Sequence, residues 1–425
     1  MSGNEWMIRA VVVGVSVWGL SSVAAGVEFI DPEVVTVPAV PRGRTLDAPD
    51  AAAARGMIDR AVTFLRSRQD VGTGGWGVNP GGPSFPAITG LVVNGMLLDP
   101  AIDDSDPAVA RGVSYMLTHQ QPDGGIYDRV LPSYNTSICL SALSRVGTPA
   151  ARDAVVKAQD FLRSLQFGEG AVRHEGLDET ATPVAKEHPF YGGVGYGRHG
   201  RPDNSNLGWV LEGLHNSGVD ASDPAFQRAL VFLQRTQMVE SKNGMIINDA
   251  PYARGSSQGG FIYATSVNKD ERGVGQSFAG TMEETLSDGT TASRLRAYGS
   301  MTYSGFKSYL YAGLKKDDPR VAAAMEWIRR NYTVEENPGL GTDGMYYYYV
   351  VFARALRAAG EPEVEVVLAD GTTEKRAWAR DLIERLAMLQ NDDGSFRSVD
   401  DRWMENDPVL ITAYALNALQ HAAAE

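Results

Sequence analysis

The sequence predicts an all-α protein, an α/α toroid (α6/α6 barrel) of six helical hairpins with two long loop insertions. Three observations lead there: a recurring helix ending, a Gly-rich turn behind most copies, and a second helix more apolar than the first. The ending reads aromatic, apolar, three mixed positions, then Gln. It occurs as Phe64-Leu65 with Gln69, Tyr115-Met116 with Gln120, Phe161-Leu162 with Gln166 and Phe232-Leu233 with Gln237. Trp327-Ile328 with Tyr332 is a degenerate copy, and Leu386 with Gln390 keeps all but the aromatic residue. The glutamines lie 51, 46 and 71 residues apart, then 153 across the degenerate copy, so one supersecondary unit recurs with insertions.

From the amino terminus, residues 1–26 read as a secretory signal: Arg9, the apolar run Val11 to Leu20, and small residues up to Gly26. Residues 27–50 form a Pro-rich lead-in, and residues 51–425 the ring. Each first helix is amphipathic. Ala151, Val155, Ala158, Phe161, Leu162 and Leu165 recur at the spacing of one buried helical face. The turns are Gly74-Gly75-Trp76, Asp123-Gly124-Gly125-Ile126, Asn243-Gly244-Met245, Asp343-Gly344-Met345 and Asp393-Gly394-Ser395-Phe396. The second helices end in a small residue and Leu or Met, as in Gly95-Met96, Ala142-Leu143 and Ala418-Leu419. Packed side by side, the apolar set lines a central space and the amphipathic set faces water.

Composition removes whole classes of function. A net charge of −13 is unsuited to nucleic acid, and after the signal no run is long and apolar enough to span a membrane. The single cysteine, Cys139, reads as a buried inert thiol. The expected location is outside the cytoplasm, periplasmic or extracellular, with no cofactor.

The helix ending in Gln390, the turn through Asp393-Gly394-Ser395-Phe396 and the helix Ile411 to Leu416 resemble the QW-type repeats of squalene-hopene cyclases. More widely, they resemble the prenyltransferase and squalene oxidase repeat group. The resemblance implies the toroid and a ligand in its centre. The Asp-x-Asp-Asp acid motif of those cyclases is absent, as are a matching zinc set and a thioester Cys-Gly-Glu-Gln stretch. Proton-driven cyclisation of the usual kind is therefore unsupported.

Two insertions, Gly168 to Asp203 and Glu240 to Ser300, each join a first helix to its second, so both belong at one end of the ring. His174, His188 and His199 in the first match no metal-ligand spacing. Within the second, Met245 to Asn248 and Gly259 to Thr265 read as strands. The second helices begin with polar residues at that same end. Candidate catalytic carboxylates are Asp203, Glu405 and Asp407, and candidate ligand-binding residues are Tyr134, Tyr196, Arg198, Asn204, Tyr303, Tyr346, Tyr347 and Trp403. Ser, Asp and Asn at helix starts equally well cap backbone N–H groups. Half of the run Tyr346 to Tyr349 should face the cavity. Three functions remain open: a cyclase-like toroid holding an apolar, isoprenoid-type ligand, a glycan-active or glycan-binding toroid, and a noncatalytic protein-interaction domain.

Overall fold

The computed structural model describes residues 46–78, 82–169, 183–197, 200–398 and 400–424. The signal segment, His174, Arg198 and His199 lie outside them. Twelve α-helices are described: α1 Ala48–Ser67, α2 Pro86–Leu97, α3 Pro107–Thr118, α4 Pro132–Leu143, α5 Pro149–Ser164, α6 Asn204–Asn216, α7 Pro224–Thr236, α8 Gly299–Tyr311, α9 Pro319–Arg330, α10 Met345–Ala359, α11 Trp378–Leu389 and α12 Pro408–Ala423. None is long and apolar enough to cross a membrane. Odd-numbered helices form the outer layer and even-numbered ones the inner. Each inner helix packs on the next, and α12 returns to α2, so the inner ring is closed.

Five of the six outer helices start alike, α11 being the exception behind Ala377. Asp47, Asp106, Asp223 and Asp318 accept backbone N–H bonds at the N-cap, Thr148 does so before α5, and a proline follows each cap in the first turn. They end on the repeat glutamine, whose side chain bonds the next unit. Gln69 Nε2 donates to Gly74 O in its own turn and to Ala108 O on α3, both at 2.8 Å. Gln166 likewise reaches Gly192 O and Ala225 O on α7, and Gln237 reaches Gly259 O and Arg320 O on α9. Gln120 reaches Ala154 O on α5. Gln390 donates to Met57 O on α1 at 2.9 Å, so the last unit holds the first. In the degenerate copy the Tyr332 hydroxyl donates instead to Asp381 of α11 at 2.8 Å.

The turn glycines are fixed by the same contact. At Gly394 (φ +87°) an added Cβ would lie 2.2 Å from Arg60 O on α1, and at Gly192 (φ +82°) 2.0 Å from Arg228 O on α7. Only a residue without a side chain lets the turn lie against the neighbouring helix. The hydrophobic residue two places beyond is core: Trp76, Ile126, Phe261 and Phe396 are buried, and each gives its N–H to an inner-helix threonine, Thr89, Thr136, Thr302 or Thr412.

Two expectations change. The fourth repeat turn is Gly259-Gly260-Phe261. Gly244 instead closes the small hairpin of β1 Ser241–Lys242 and β2 Met245–Ile246, with nothing near its missing Cβ. Gly259 to Thr265 is not a strand; it makes only isolated bridges, Gln237 with Phe261 and Ala264 with Gln276, because it is pinned to the ring. Two further hairpins carry weaker sequence signals: β3 Thr281–Thr285 with β4 Thr291–Leu295 in the second insertion, and β5 Val364–Val367 with β6 Thr373–Arg376 at the opposite end.

Gly394→Ala should cost well above the roughly 1–2 kcal/mol of left-handed backbone strain, whereas Gly244→Ala should cost only that strain. Urea denaturation of both variants checks this, and equal losses would refute the close-approach reading. Gln390→Ala should lose about 1–3 kcal/mol, because it leaves the Met57 carbonyl without this donor, and the same measurement reports it.

Candidate functional site

Both insertions and all six inner-helix N-termini gather at one end of the ring. There Asp203 caps α6. One carboxylate oxygen accepts Asn206 N and the other Asn206 Nδ2, each at 2.9 Å, and the Tyr263 hydroxyl lies close enough to favour the ionised form. The Arg201 guanidinium stands 4.0 Å away. Asp203 is fully buried, and burial outweighs these partners to push its carboxyl up to about 6.

Around it lies a cup of rings. Tyr196 of the first insertion stacks on Tyr134 of α4, with centroids 5.8 Å apart. Its hydroxyl meets that of Tyr263, from the second insertion, at 2.8 Å. Asp203 therefore lies close to a hydrogen-bonded tyrosine pair, Tyr263 and Tyr196, whose outer member is 45% exposed. On the other side Tyr134 OH bonds to Ser205 Oγ, which donates to Tyr347 OH of α10, and Tyr347 meets Tyr414 of α12 edge-on. Tyr134, Tyr347 and Tyr414 are each partly exposed, well inside the ring. Trp209 forms the floor, 6.4 Å from Tyr134 and 6.3 Å from Tyr347, and its buried Nε1 has no hydrogen-bond partner among the described residues. The aromatic rim continues from Tyr263 to Phe278 to Trp403, with Arg201 over Tyr263 and Arg402 over Phe278 and Trp403. Four non-glycine residues beside this mouth, Arg129, Leu131, Trp403 and Met404, hold positive φ, a strained backbone that the surroundings enforce.

Beneath Trp209 the lumen is crossed by charge. Glu212 of α6 pairs with Lys307 of α8 and, at 2.6 Å, with Arg354 of α10, and all three are buried. Arg354 donates to Asn417 of α12, Asn94 of α2 donates to Asn417, and Arg145, just past α4, donates to Asn94. This polar girdle touches all six inner helices.

Of the residues singled out in the sequence, Asp203, Tyr134, Tyr196 and Tyr347 converge on the cup and Trp403 on its rim. Glu405 lies behind the rings, against the backbone of α10. Its two oxygens accept Tyr346 N and Tyr347 N at 2.9 and 2.8 Å, capping α10, and burial pushes its carboxyl up to about 7. Asp407 caps its own helix through Val409 N and Leu410 N. Asn204 is buried between Ile262 O and the Thr236 hydroxyl. Tyr303 packs on Tyr348 and Phe352, and Tyr346 gives its hydroxyl to Arg397 O. Tyr348 and Tyr349 likewise bond loop carbonyls, so one of the four consecutive tyrosines, not two, faces the lumen. The outer layer and its loops supply acceptors for the other three hydroxyls. His188 packs edge-on against Phe190, and burial with Arg272 and Arg235 nearby lowers its pKa. Sequence reasoning does not select Trp209, Tyr414, Glu212, Lys307 or Arg354. The last three did carry a signal, a charge inside an apolar helix.

The profile described as the squalene-hopene cyclase C-terminal domain matches residues 81–250, from the start of the first inner helix into the second insertion. No curated protein sequence matches the chain. Among solved structures, a variant of the type II terpene cyclase MstE from Scytonema, in complex with geranylgeranyl dihydroxybenzoate, is 15% identical, with 89% of this chain and 99% of that one covered and a TM-score of 0.48. An inactive variant of the alpha-1,6-mannanase GH76A of Salegentibacter sp. HEL1_6, in complex with alpha-1,6-mannotriose, is 8% identical, with 88% and 100% covered and a TM-score of 0.52. The mannanase likeness is one of fold.

The raised Asp203 pKa makes stability depend on pH. Between the unfolded value near 4 and the folded value of about 6, the folded chain holds a proton that the unfolded chain has lost, so stability falls as pH rises through that window. The loss amounts to about 3 kcal/mol. Asp203→Asn keeps an N-capping side chain and should remove this part of the pH dependence. Urea denaturation of both proteins across the window measures the difference, and parallel curves would show that Asp203 does not titrate there.

Proposed function

We propose that this squalene-hopene cyclase-like toroid takes an apolar, isoprenoid-type ligand in the tyrosine cup and exchanges a proton with it through Asp203. The observation that carries this is the convergence of the rings of Tyr134, Tyr347, Tyr414 and Trp209 at the insertion end, with the fully buried Asp203 carboxyl in the same place. Ring faces favour apolar chains and any positive charge developing on them.

The chemistry is bounded by the acid. A carboxyl at about 6 is poised for proton exchange near neutrality, at a heteroatom or an acidified C–H. It is far weaker than the acid needed to protonate an unactivated alkene. Tyr263 and Tyr196 then form the route by which the proton is exchanged with solvent. In this proposal the amino-terminal segment exports the chain, and the ligand is met outside the cytoplasm.

A glycan is the second reading, favoured by the hydroxyl-rich wall of the cup and by the fold shared with a mannanase bound to mannotriose. Hydrolysis fits it poorly, because a glycosidase needs two working carboxyl groups. Here Glu405 gives both oxygens to backbone N–H groups of α10 and Asp407 gives one to its own helix, so, like Asp203, each is already engaged as a cap.

Tryptophan fluorescence during titration with farnesol and, separately, with alpha-1,6-mannotriose decides between them. Farnesol should give a saturable change that Tyr347→Ala weakens about tenfold or more, the loss of one buried aromatic contact. Asp203→Asn should still bind it. A response to mannotriose alone would replace the first reading with the second, and silence towards both would overturn the cup as a binding site.

A further inference from the structure

The opposite end of the ring has its own constellation. The inner helices run from the insertion end towards it, and their last turns bring together Arg145, His215, Tyr311 and His421, each partly open to solvent. Behind them lie Lys307, Arg354 and Arg357, all buried. Three basic side chains, Arg145, Lys307 and Arg354, thus face one carboxylate, Glu212, which already serves Lys307 and Arg354. His421 lies among Arg354, Arg145, Arg357 and Lys307, which together with burial keep it neutral. His215 stacks flat on Tyr311 with centroids 3.9 Å apart, and Lys307 stands over the Tyr311 ring.

Such an excess of positive charge is costly where water is scarce. Helix C-termini offset part of it, but only within the last turn. Lys307 and Arg354 lie further in. Among the described residues Arg145 makes one hydrogen bond, from Nε to Asn94, which leaves both terminal guanidinium nitrogens for a partner. Both its fork geometry and the charge excess suit an anion bearing several oxygens.

We propose that this end of the ring is a second binding site, separate from the tyrosine cup, for a multiply charged oxyanion held by Arg145 and His421 over the Lys307–Glu212–Arg354 cluster. The girdle separates the two sites in space and joins them through Arg354, whose guanidinium lies 4.9 Å from the Trp209 ring. An anion that draws Arg354 away from Glu212 would therefore be felt at the floor of the cup.

The test is thermal unfolding and isothermal titration of the whole protein with inorganic diphosphate and, in a separate arm, succinate, at matched ionic strength. A saturable rise in Tm with either anion is expected, and the arm that responds tells a phosphate from a carboxylate ligand. Arg145→Gln and His421→Gln should each weaken that binding about ten- to a hundredfold, as loss of a charged hydrogen bond does. Lys157→Gln, on the exposed outer face of α5, should leave it unchanged. No response to either anion in the unmodified protein, or equal binding by Arg145→Gln, would overturn the proposal. The wild-type titration decides it even if a variant does not fold.

Discussion

One side-chain amide per repeat sets the geometry of this ring. The repeat glutamine donates to a carbonyl in the next outer helix, and in three of the repeats both its bonds are short and buried or nearly so. An open-ended array would leave the last amide without a neighbour. Here Gln390 bonds Met57 O, Arg60 returns a bond to the Gln390 carbonyl oxygen, and Arg380 pairs with Asp50 on α1. Inside, Asn417 donates to Leu91 O and Gln420 to Gly95 O across the same seam. The degenerate copy shows that the constraint is positional. Tyr332, with a longer reach, bonds a side chain of α11 where glutamine would bond its backbone.

Closure then decides what the apolar helices enclose. Their hydrophobic faces pack against the outer layer and one another, and a few polar positions are left facing the axis. Glu212, Lys307 and Arg354 occupy it at mid-height. A buried pair of this kind is worth little net stability and a great deal if broken. The girdle therefore fixes the register of the inner helices while dividing the lumen into two ends of opposite character, one aromatic and weakly acidic, the other cationic.

The fold was legible from local pattern. A three-and-four spacing, a terminal Gln and a Gly-rich turn each reflect the geometry of a few consecutive residues, and six copies reinforced one another. Gly244 shows where this fails, since a glycine in a hairpin turn and one pressed against a helix backbone look alike in sequence. The carboxylates show the same ambiguity. Asp203, Glu405 and Asp407 all begin or precede inner helices, and all three accept backbone N–H groups. Only Asp203 has hydroxyl groups of both insertions beside it.

The sequence by itself determined the repeat, the ring, the end at which the insertions gather and the candidacy of Asp203, Tyr134, Tyr196 and Tyr347. These follow from helical periodicity and chain direction, which are local properties. Tertiary structure decided which polar residues cap helices and which face the cup. It also decided that Trp209 and Tyr414 complete that cup, and that a charged girdle stops it halfway. Tyr134, Ser205 and Tyr347 are joined across 71 and then 142 residues of chain. No local spacing encodes such a contact, because it exists only once the ring has closed.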